Sequence, residues 1–502
     1  MTDSPGIVQI KELINQGNFI EGKKELDNLN HLENYTDSDK IKLLILRGLI
    51  FIKMGDYNKS LKIIDEIYQK NLTKFPLLNL ETHLLEEEAL WRLGKYDESL
   101  RVIDQAEKIF KDLEHSNTTI LQNLQLKRHK GVILQQKGEL EQALDLTQQV
   151  LVLAKSLNDK REISNCLNNL GTFYMAKHDI DLAMNYFEKC LSIVSEIGSK
   201  RDLGIISLNI GMIHFEMGSW SQTLKFLNQS LELNKEIGDK DGVANCLVNL
   251  GFSYLNRGEI DEAIKCGEEG INLTKSIGNK RNLAEAFQLL IMAYVNENSD
   301  NRVKELLQEF SKLNEQESDS LIDYKYRFSQ ARVLKMSNRI TEKVKAQEIF
   351  QQLITEDITY PVDHFYMMLD LCELLIAELK TYGEPTVFEE IKSLQLKMMN
   401  LAKNLQSNDL MVKTLIFEAK LRLVDGDIKE AKTLLDLAKN TLTEQDSISL
   451  KNWVNWEIKN LGEQLNKWDN LIQKNLSLKE RLDNARLADY VAQATRFIQE
   501  IS

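Results

Sequence analysis

Proline is scarce in this chain, with four in 502 residues, and glycine is held to 23. Both disfavour helix interiors, so their scarcity removes the main obstacle to long helices. Leu, Lys, Glu, Asn and Ile are abundant instead, which suits helices joined by short turns better than sheets or disordered linkers. Cysteine is also sparse. Cys166, Cys190, Cys246, Cys266 and Cys372 form no CxxC and leave an odd one over, which excludes a disulfide framework. Cys166 and Cys246 share a register, as small apolar residues in a contact between helices would. Positive charge is in deficit: the net charge of −13 argues against a general nucleic-acid binder, which needs a surplus of Lys and Arg on one face. No nucleic-acid partner is expected. Long hydrophobic runs are missing too. The longest, around Ile41 to Ile52, is interrupted by Lys42 and Arg47, and the start MTDSPGIVQI has no signal-peptide pattern. The expectation is a soluble, cytoplasmic protein without membrane insertion.

What the chain does have is a repeat. From residue 169 to 288, three 40-residue units align without a gap. Asn169, Asn209 and Asn249 share one column, and Gly171, Gly211 and Gly251 another. Ile197, Ile237 and Ile277 form a third, each followed by Gly-x-Lys. A fixed period of this size marks a stacked solenoid, because one helical hairpin cannot bury its apolar face without neighbours. Such a body grows by adding units, so its length does not count domains.

A turn glycine followed five positions later by a small residue extends the pattern outward: Gly17 with Gly22, Gly55 with Ser60, Gly94 with Ser99, Gly138 with Ala143, Gly218 with Thr223 and Gly258 with Ala263. His178 replaces the glycine in the fifth unit, with Ala183 on schedule. The glycine permits a left-handed helix end and the small residue a close helix approach. Beyond residue 289 the pattern weakens. An eighth pair breaks at Glu297 to Asp300, a ninth at Ser337-Asn338, a tenth at Tyr382 to Pro385, and Ala419, Gly426 and Ala431 mark an eleventh. Trp453, Trp456 and Trp468 follow in an amphipathic segment, and a last helix is expected from Leu476 to Ile501.

Leu167, Leu170, Gly171, Tyr174, Ala183 and Phe187 resemble the tetratricopeptide (TPR) pattern of paired helices A and B. The period of 40 residues exceeds the usual ~34, which is similar to the longer repeats of Partner-of-Inscuteable-type and kinesin-light-chain scaffolds. The resemblance implies an all-α superhelical solenoid of about eleven antiparallel pairs with a C-terminal capping helix. It divides the chain into N-terminal repeats over 1–119, regular repeats over 120–290, divergent repeats over 291–447 and a cap over 448–502.

No catalytic constellation is present: the sequence holds no Gly-rich phosphate loop, GxSxG or HExxH, and its seven histidines lack metal-ligand spacing. The expectation is a non-enzymatic protein without cofactor or metal. Glu86-Glu87-Glu88 point in different directions on a helix, so a solvated or partner-facing acidic stripe is expected of them. Lys160-Arg161, Lys200-Arg201 and Lys280-Arg281 recur once per repeat beside acidic residues and are expected as solvated surface.

The resemblance implies that helix A lines a concave groove. Carried onto this chain, the groove includes Asn165, Asn168, Asn169 and Thr172, then Asn209, Met212 and Glu216, then Asn245, Asn249, Phe252 and Asn256. Arg128 and His129 come from the preceding unit. Asparagine repeated in a column suits an extended peptide, since a carboxamide both donates to a backbone carbonyl and accepts from a backbone N–H. The alternative is that these side chains tie helix A to its neighbour. Clamps for chaperone tails use several Lys and Arg in the groove, and only Arg128 falls at such a position, so an internal, partly apolar segment of a protein partner fits better. Two functions remain: a scaffold that holds the segment, or a regulator whose superhelix changes shape on binding it.

Overall fold

A computed structural model describes residues 4–29, 35–114, 116–177, 179–217, 219–297, 299–356, 361–405, 407–442, 448–472 and 476–495. Among the described residues there are 25 α-helices and no strand. They run as α1 (Pro5–Asn15), α2 (Phe19–Asn28), α3 (Asp37–Lys53), α4 (Tyr57–Tyr68), α5 (Pro76–Arg92), α6 (Tyr96–Lys111), α7 (Asn117–Gln136) and α8 (Leu140–Ser156). The regular repeats supply α9 (Lys160–Ala176), α10 (Ile180–Ile197), α11 (Lys200–Glu216), α12 (Trp220–Ile237), α13 (Lys240–Asn256) and α14 (Ile260–Ile277). Then come α15 (Lys280–Glu297), α16 (Asp300–Gln316), α17 (Ser320–Lys335), α18 (Ile340–Thr355), α19 (Pro361–Tyr382), α20 (Pro385–Asn404), α21 (Asn408–Asp425) and α22 (Ile428–Thr441). Three helices close the chain: α23 (Ile448–Ile472), α24 (Leu478–Asn484) and α25 (Leu487–Thr495).

Helices A and B thus alternate through α22, and the breaks expected at Glu297 to Asp300, Ser337-Asn338, Tyr382 to Pro385 and Gly426 all coincide with junctions between helices. Pairing within a repeat depends on the two small columns. Gly171 on α9 faces Phe187 on α10, and a Cβ there would lie 2.4 Å from the ring. Ala143, Ala183 and Ala263 on the B helices are 0 to 2 % exposed, which is why nothing larger fits between the members of a pair. His178 and Gly218, two of the expected turn residues, lie outside the described residues.

Packing divides the chain into two units. The first comprises residues 1–213, 224–250 and 266–286, and the second 214–223, 251–265 and 287–502.

Inside the first unit, the turns of the N-terminal pairs meet the connections between later repeats. Tyr57 Oη donates to Asp241 Oδ2 at 2.8 Å, Lys240 Nζ donates to Asp56 Oδ1 at 2.8 Å, and Asn58 Nδ2 donates to the Ile277 carbonyl at 3.3 Å. Ile237 packs with Ile7, Phe19 and Ile50, and Ile277 with Tyr57 and Leu93, each isoleucine 2 % exposed. Gly55 sits at φ +75°, and a Cβ there would stand 2.9 Å from the Asp241 backbone nitrogen. Two of the three Ile-Gly-x-Lys stretches, at Ile237 and Ile277, therefore form a seam with the N-terminal pairs of this unit. Of the paired basic residues beside it, Lys160 and Arg161 are exposed as expected, whereas Lys200, Arg201, Lys280 and Arg281 are half-buried. Arg281 stacks on Tyr96 at 4.5 Å and Arg201 is half-buried, while Lys160 and Lys200 pair with Glu196 and Glu236 one repeat on.

Inside the second unit, a core runs from Tyr324 to Ala494 and takes in the C-terminal helices. Trp453 and Trp468 are buried, Trp456 is exposed, and Tyr490 stacks on Phe417 at 6.0 Å. The cap is built of α23, α24 and α25 rather than one helix. The stretch expected to be continuous from Leu476 breaks at Arg486, whose φ is +47°; the end of that expected helix, 496–501, lies outside the described residues. No described helix is long and apolar enough to cross a membrane.

Candidate functional site

The expected groove residues all lie on A helices, and each unit holds part of the set. In the first unit, Asn165, Asn168, Asn169 and Thr172 on α9, Asn209 and Met212 on α11, and Asn245 and Asn249 on α13 are all half-buried. Asn209 Nδ2 donates to Asn168 Oδ1 at 2.7 Å, which ties α11 to α9. Asn249 Nδ2 donates to the Asn245 carbonyl at 2.8 Å in its own helix, and Asn282 Nδ2 donates to Asn245 Oδ1 at 2.7 Å. Thr172 donates to the Asn169 carbonyl at 2.9 Å. Asn169 Nδ2 has no hydrogen-bond partner among the described residues. The tie reading thus accounts for Asn168, Asn209 and Asn245, whereas Asn169 Nδ2 is sealed from solvent.

Arg128 and His129 on α7 belong to a larger charged cluster that the sequence reading did not identify. Arg128 Nε donates to Glu162 Oε2 at 2.9 Å, and Glu162 Oε1 accepts from Asn165 Nδ2 at 3.1 Å. His129 Nδ1 lies 2.5 Å from Glu87 Oε1. Burial drives the Glu87 carboxyl well up, with Glu88 adding to it, and burial beside Arg128 drives the His129 imidazole well down. Both shifts disfavour the charged forms, so burial works against an ion pair at this contact. Glu88 differs. Burial pushes it up, but Lys53 Nζ at 2.8 Å, with His129, Arg92 and Arg201, outweighs this and holds the carboxyl well below its usual range. The acidic stripe expected over Glu86 to Glu88 is thus corrected: Glu87 and Glu88 are 0 and 4 % exposed, and only Glu86 is near the surface, where it accepts from Tyr68. An acidic pair inside the apolar helix α5 was the signal available in the sequence.

The first unit also holds a cavity of about 470 Å³ lined by Leu26, Ile41, Leu44 and Phe75, with Arg47, Glu66 and Lys70 on its polar side. None of the expected groove residues lines it.

In the second unit, Glu216 at the end of α11 is half-buried, and Asn256 at the end of α13 is 2 % exposed, its Nδ2 lacking a hydrogen-bond partner among the described residues. Burial, with Asp363 nearby, raises the Glu216 carboxyl to about 7. Phe252 is half-buried and packs on Leu255, Ala263, Leu289 and Met292, so it serves the core as well as any groove. Among the described residues no group of His, Cys, Asp and Glu has the arrangement of a metal site.

The architecture is that of a helical-repeat solenoid with polar A helices. A family model described as Tetratricopeptide repeat matches residues 202–276, and a second so described matches 164–193. Among solved structures, a Rap protein complexed with Competence and Sporulation Factor is similar at 15% identity and a TM-score of 0.53, covering 73% of this chain and 99% of its own. NprR in complex with its cognate peptide NprX follows at 16% identity, 69% and 97% coverage and a TM-score of 0.47. Apo NprR from B. thuringiensis stands at 14%, 72% and 99%, with 0.46. The Rap likeness concerns the fold alone, and the two NprR scores are too low to add to it. No curated protein matches the chain. Residues 164–193 and 202–276 are thus matched as tetratricopeptide repeats, and stacked repeats of this kind present extended surfaces for binding.

Proposed function

We propose that this protein is a non-enzymatic scaffold that holds an extended segment of a protein partner along its A helices. The observation that carries the reading is the register of half-buried carboxamides over α9, α11 and α13. Backbone recognition by carboxamides needs such a column and tolerates varied side chains in the segment. The Rap protein of similar fold is itself complexed with a separate factor, which supports a binding role for a chain of this architecture.

The test begins with crosslinking in intact cells and identification of the captured segment by mass spectrometry. That segment, synthesised, is then titrated into the wild type and into Asn169→Ala. The variant should fold with an unchanged melting temperature and bind roughly tenfold more weakly, the effect of losing about 1–3 kcal/mol at one unpaired peptide group. Unchanged affinity overturns the groove reading.

A regulator is the second reading, favoured by the seam in the first unit. Contacts such as Tyr57 to Asp241 join parts of the repeat array far apart in sequence, so a bound segment that preferred them closed or open would shift that equilibrium.

A further inference from the structure

The cavity in the first unit lies where the repeat departs from its own length. The B helices α6, α8, α10, α12 and α14 hold 16 to 18 residues, but α2 holds 10 and α4 holds 12. The A helix packed between those two, α3, keeps 17. Both short helices therefore give out beside the N-terminal part of α3, at Leu29 and Gln69, and the space of their missing turns is the cavity of about 470 Å³. That volume falls within the roughly 300–1,000 Å³ of small-ligand pockets.

Its floor is apolar and preformed. Leu26, Ile41 and Leu43 are 3 to 5 % exposed, the two leucines packed with Ile7 and Phe19 and the isoleucine with Ile67 and Leu72, so the core behind them fixes their positions. The basic residues on the lining are nearer to solvent. Lys70 and Lys74 are exposed, and Lys40 and Arg47 half-buried, against the two acids Asp37 and Glu66. Arg47 Nη2 donates to Asp27 Oδ1 at 3.0 Å, whereas Lys40, Lys70 and Lys74 have no ion pair among the described residues. With Asp27 counted, one positive charge is left over beside the apolar floor, in a chain whose net charge is −13. Lysine stems lie along apolar surface while their ammonium groups stay in water, so a chain can meet hydrocarbon and its head can meet the ammonium groups. A small inorganic ion gains nothing from such a floor, and a doubly charged head exceeds the surplus.

We propose that this cavity binds a free aliphatic monocarboxylate, its chain on the apolar floor and its head among Lys40, Lys70 and Lys74. The site shares no residue with the expected groove, so it stands whether or not the A helices hold a segment.

Calorimetric titration of the full-length protein with hexanoate, octanoate and decanoate, each below its micellar concentration, should show one saturable site per chain. Affinity should rise roughly fourfold per added methylene, the change that corresponds to burying one such group. Acetate should not bind, and decanol should bind roughly tenfold more weakly than decanoate, the loss of about one charge-assisted contact. Lys70→Glu combined with Lys74→Glu alters only exposed side chains and should keep the wild-type circular dichroism. That variant should lose about tenfold in affinity for decanoate and nothing for decanol. Leu44→Trp, which fills the cavity, should lose both ligands; if it loses helicity, the lysine pair and the decanol comparison decide the case. Decanol binding as tightly as decanoate, or unchanged decanoate affinity after the charge reversal, overturns the carboxylate. Failure of decanoate to saturate a site, or a folded Leu44→Trp that binds it as the wild type does, overturns the cavity.

Discussion

Glu216 and Gly171 show how single residues set limits on this fold. Glu216 has a folded carboxyl raised to about 7 from an ordinary 4.5. The folded state then holds more protons than the unfolded one between those values, so stability falls as pH rises through that window and levels off above 7. Glu216→Gln should abolish that part of the slope, as denaturant titrations at pH 5 and pH 8 would reveal; identical slopes in both proteins would mean that the carboxyl is solvated. Gly171 is constrained by shape. A methyl there meets Phe187 at 2.4 Å, and Ala183 one helix on is fully buried. Gly171→Ala and Ala183→Leu should each cost roughly 1–3 kcal/mol through overpacking, read as a lower denaturation midpoint. Both positions were legible in the sequence because a repeat prints the same steric demand several times. Glu87, Glu88, Arg92 and Arg201 were not. Periodicity reports which face is apolar, and says nothing about a charge buried beside another from the next repeat, as Glu88 is beside Lys53.

Among elements, the connections between repeats carry more than their composition suggests. The Ile-Gly-x-Lys column was visible as a column, but its purpose depends on how far one turn of repeats climbs before meeting the next, and that is a property of accumulated packing angles. Ile237 and Ile277 are buried there by helices α1 to α5, which no local pattern announces. Tyr57→Phe removes the phenol that bonds Asp241 in a buried setting and should cost about 1–2 kcal/mol. Faster amide exchange should appear both around Met54 to Asn58 and around Asp239 to Val243, because the seam is shared. Exchange confined to one side would contradict a joint contact. The C-terminal helices illustrate the opposite limit. Their amphipathic character was readable, but the break at Arg486 was not, since a non-glycine residue at φ +47° leaves no glycine signal.

At the scale of the molecule, the open question between scaffold and regulator becomes one of linkage. A segment that binds open and closed forms of the first unit equally shifts neither, however tightly it is held. Conversely, if binding favours a closed seam, then loosening the seam must weaken binding by the same free energy, even though no seam residue touches the segment. Asp241→Ala provides the lever, since it removes the acceptor for Tyr57, Asn279 and Asn282 at one stroke. For the scaffold proposed above, the variant should be less stable yet bind the captured segment within about twofold of the wild type. Solution scattering of the wild type should give the same radius of gyration with and without the segment. A tenfold change in affinity together with a change in radius would instead identify the seam as the moving part, and would transfer the protein from scaffold to segment-operated regulator.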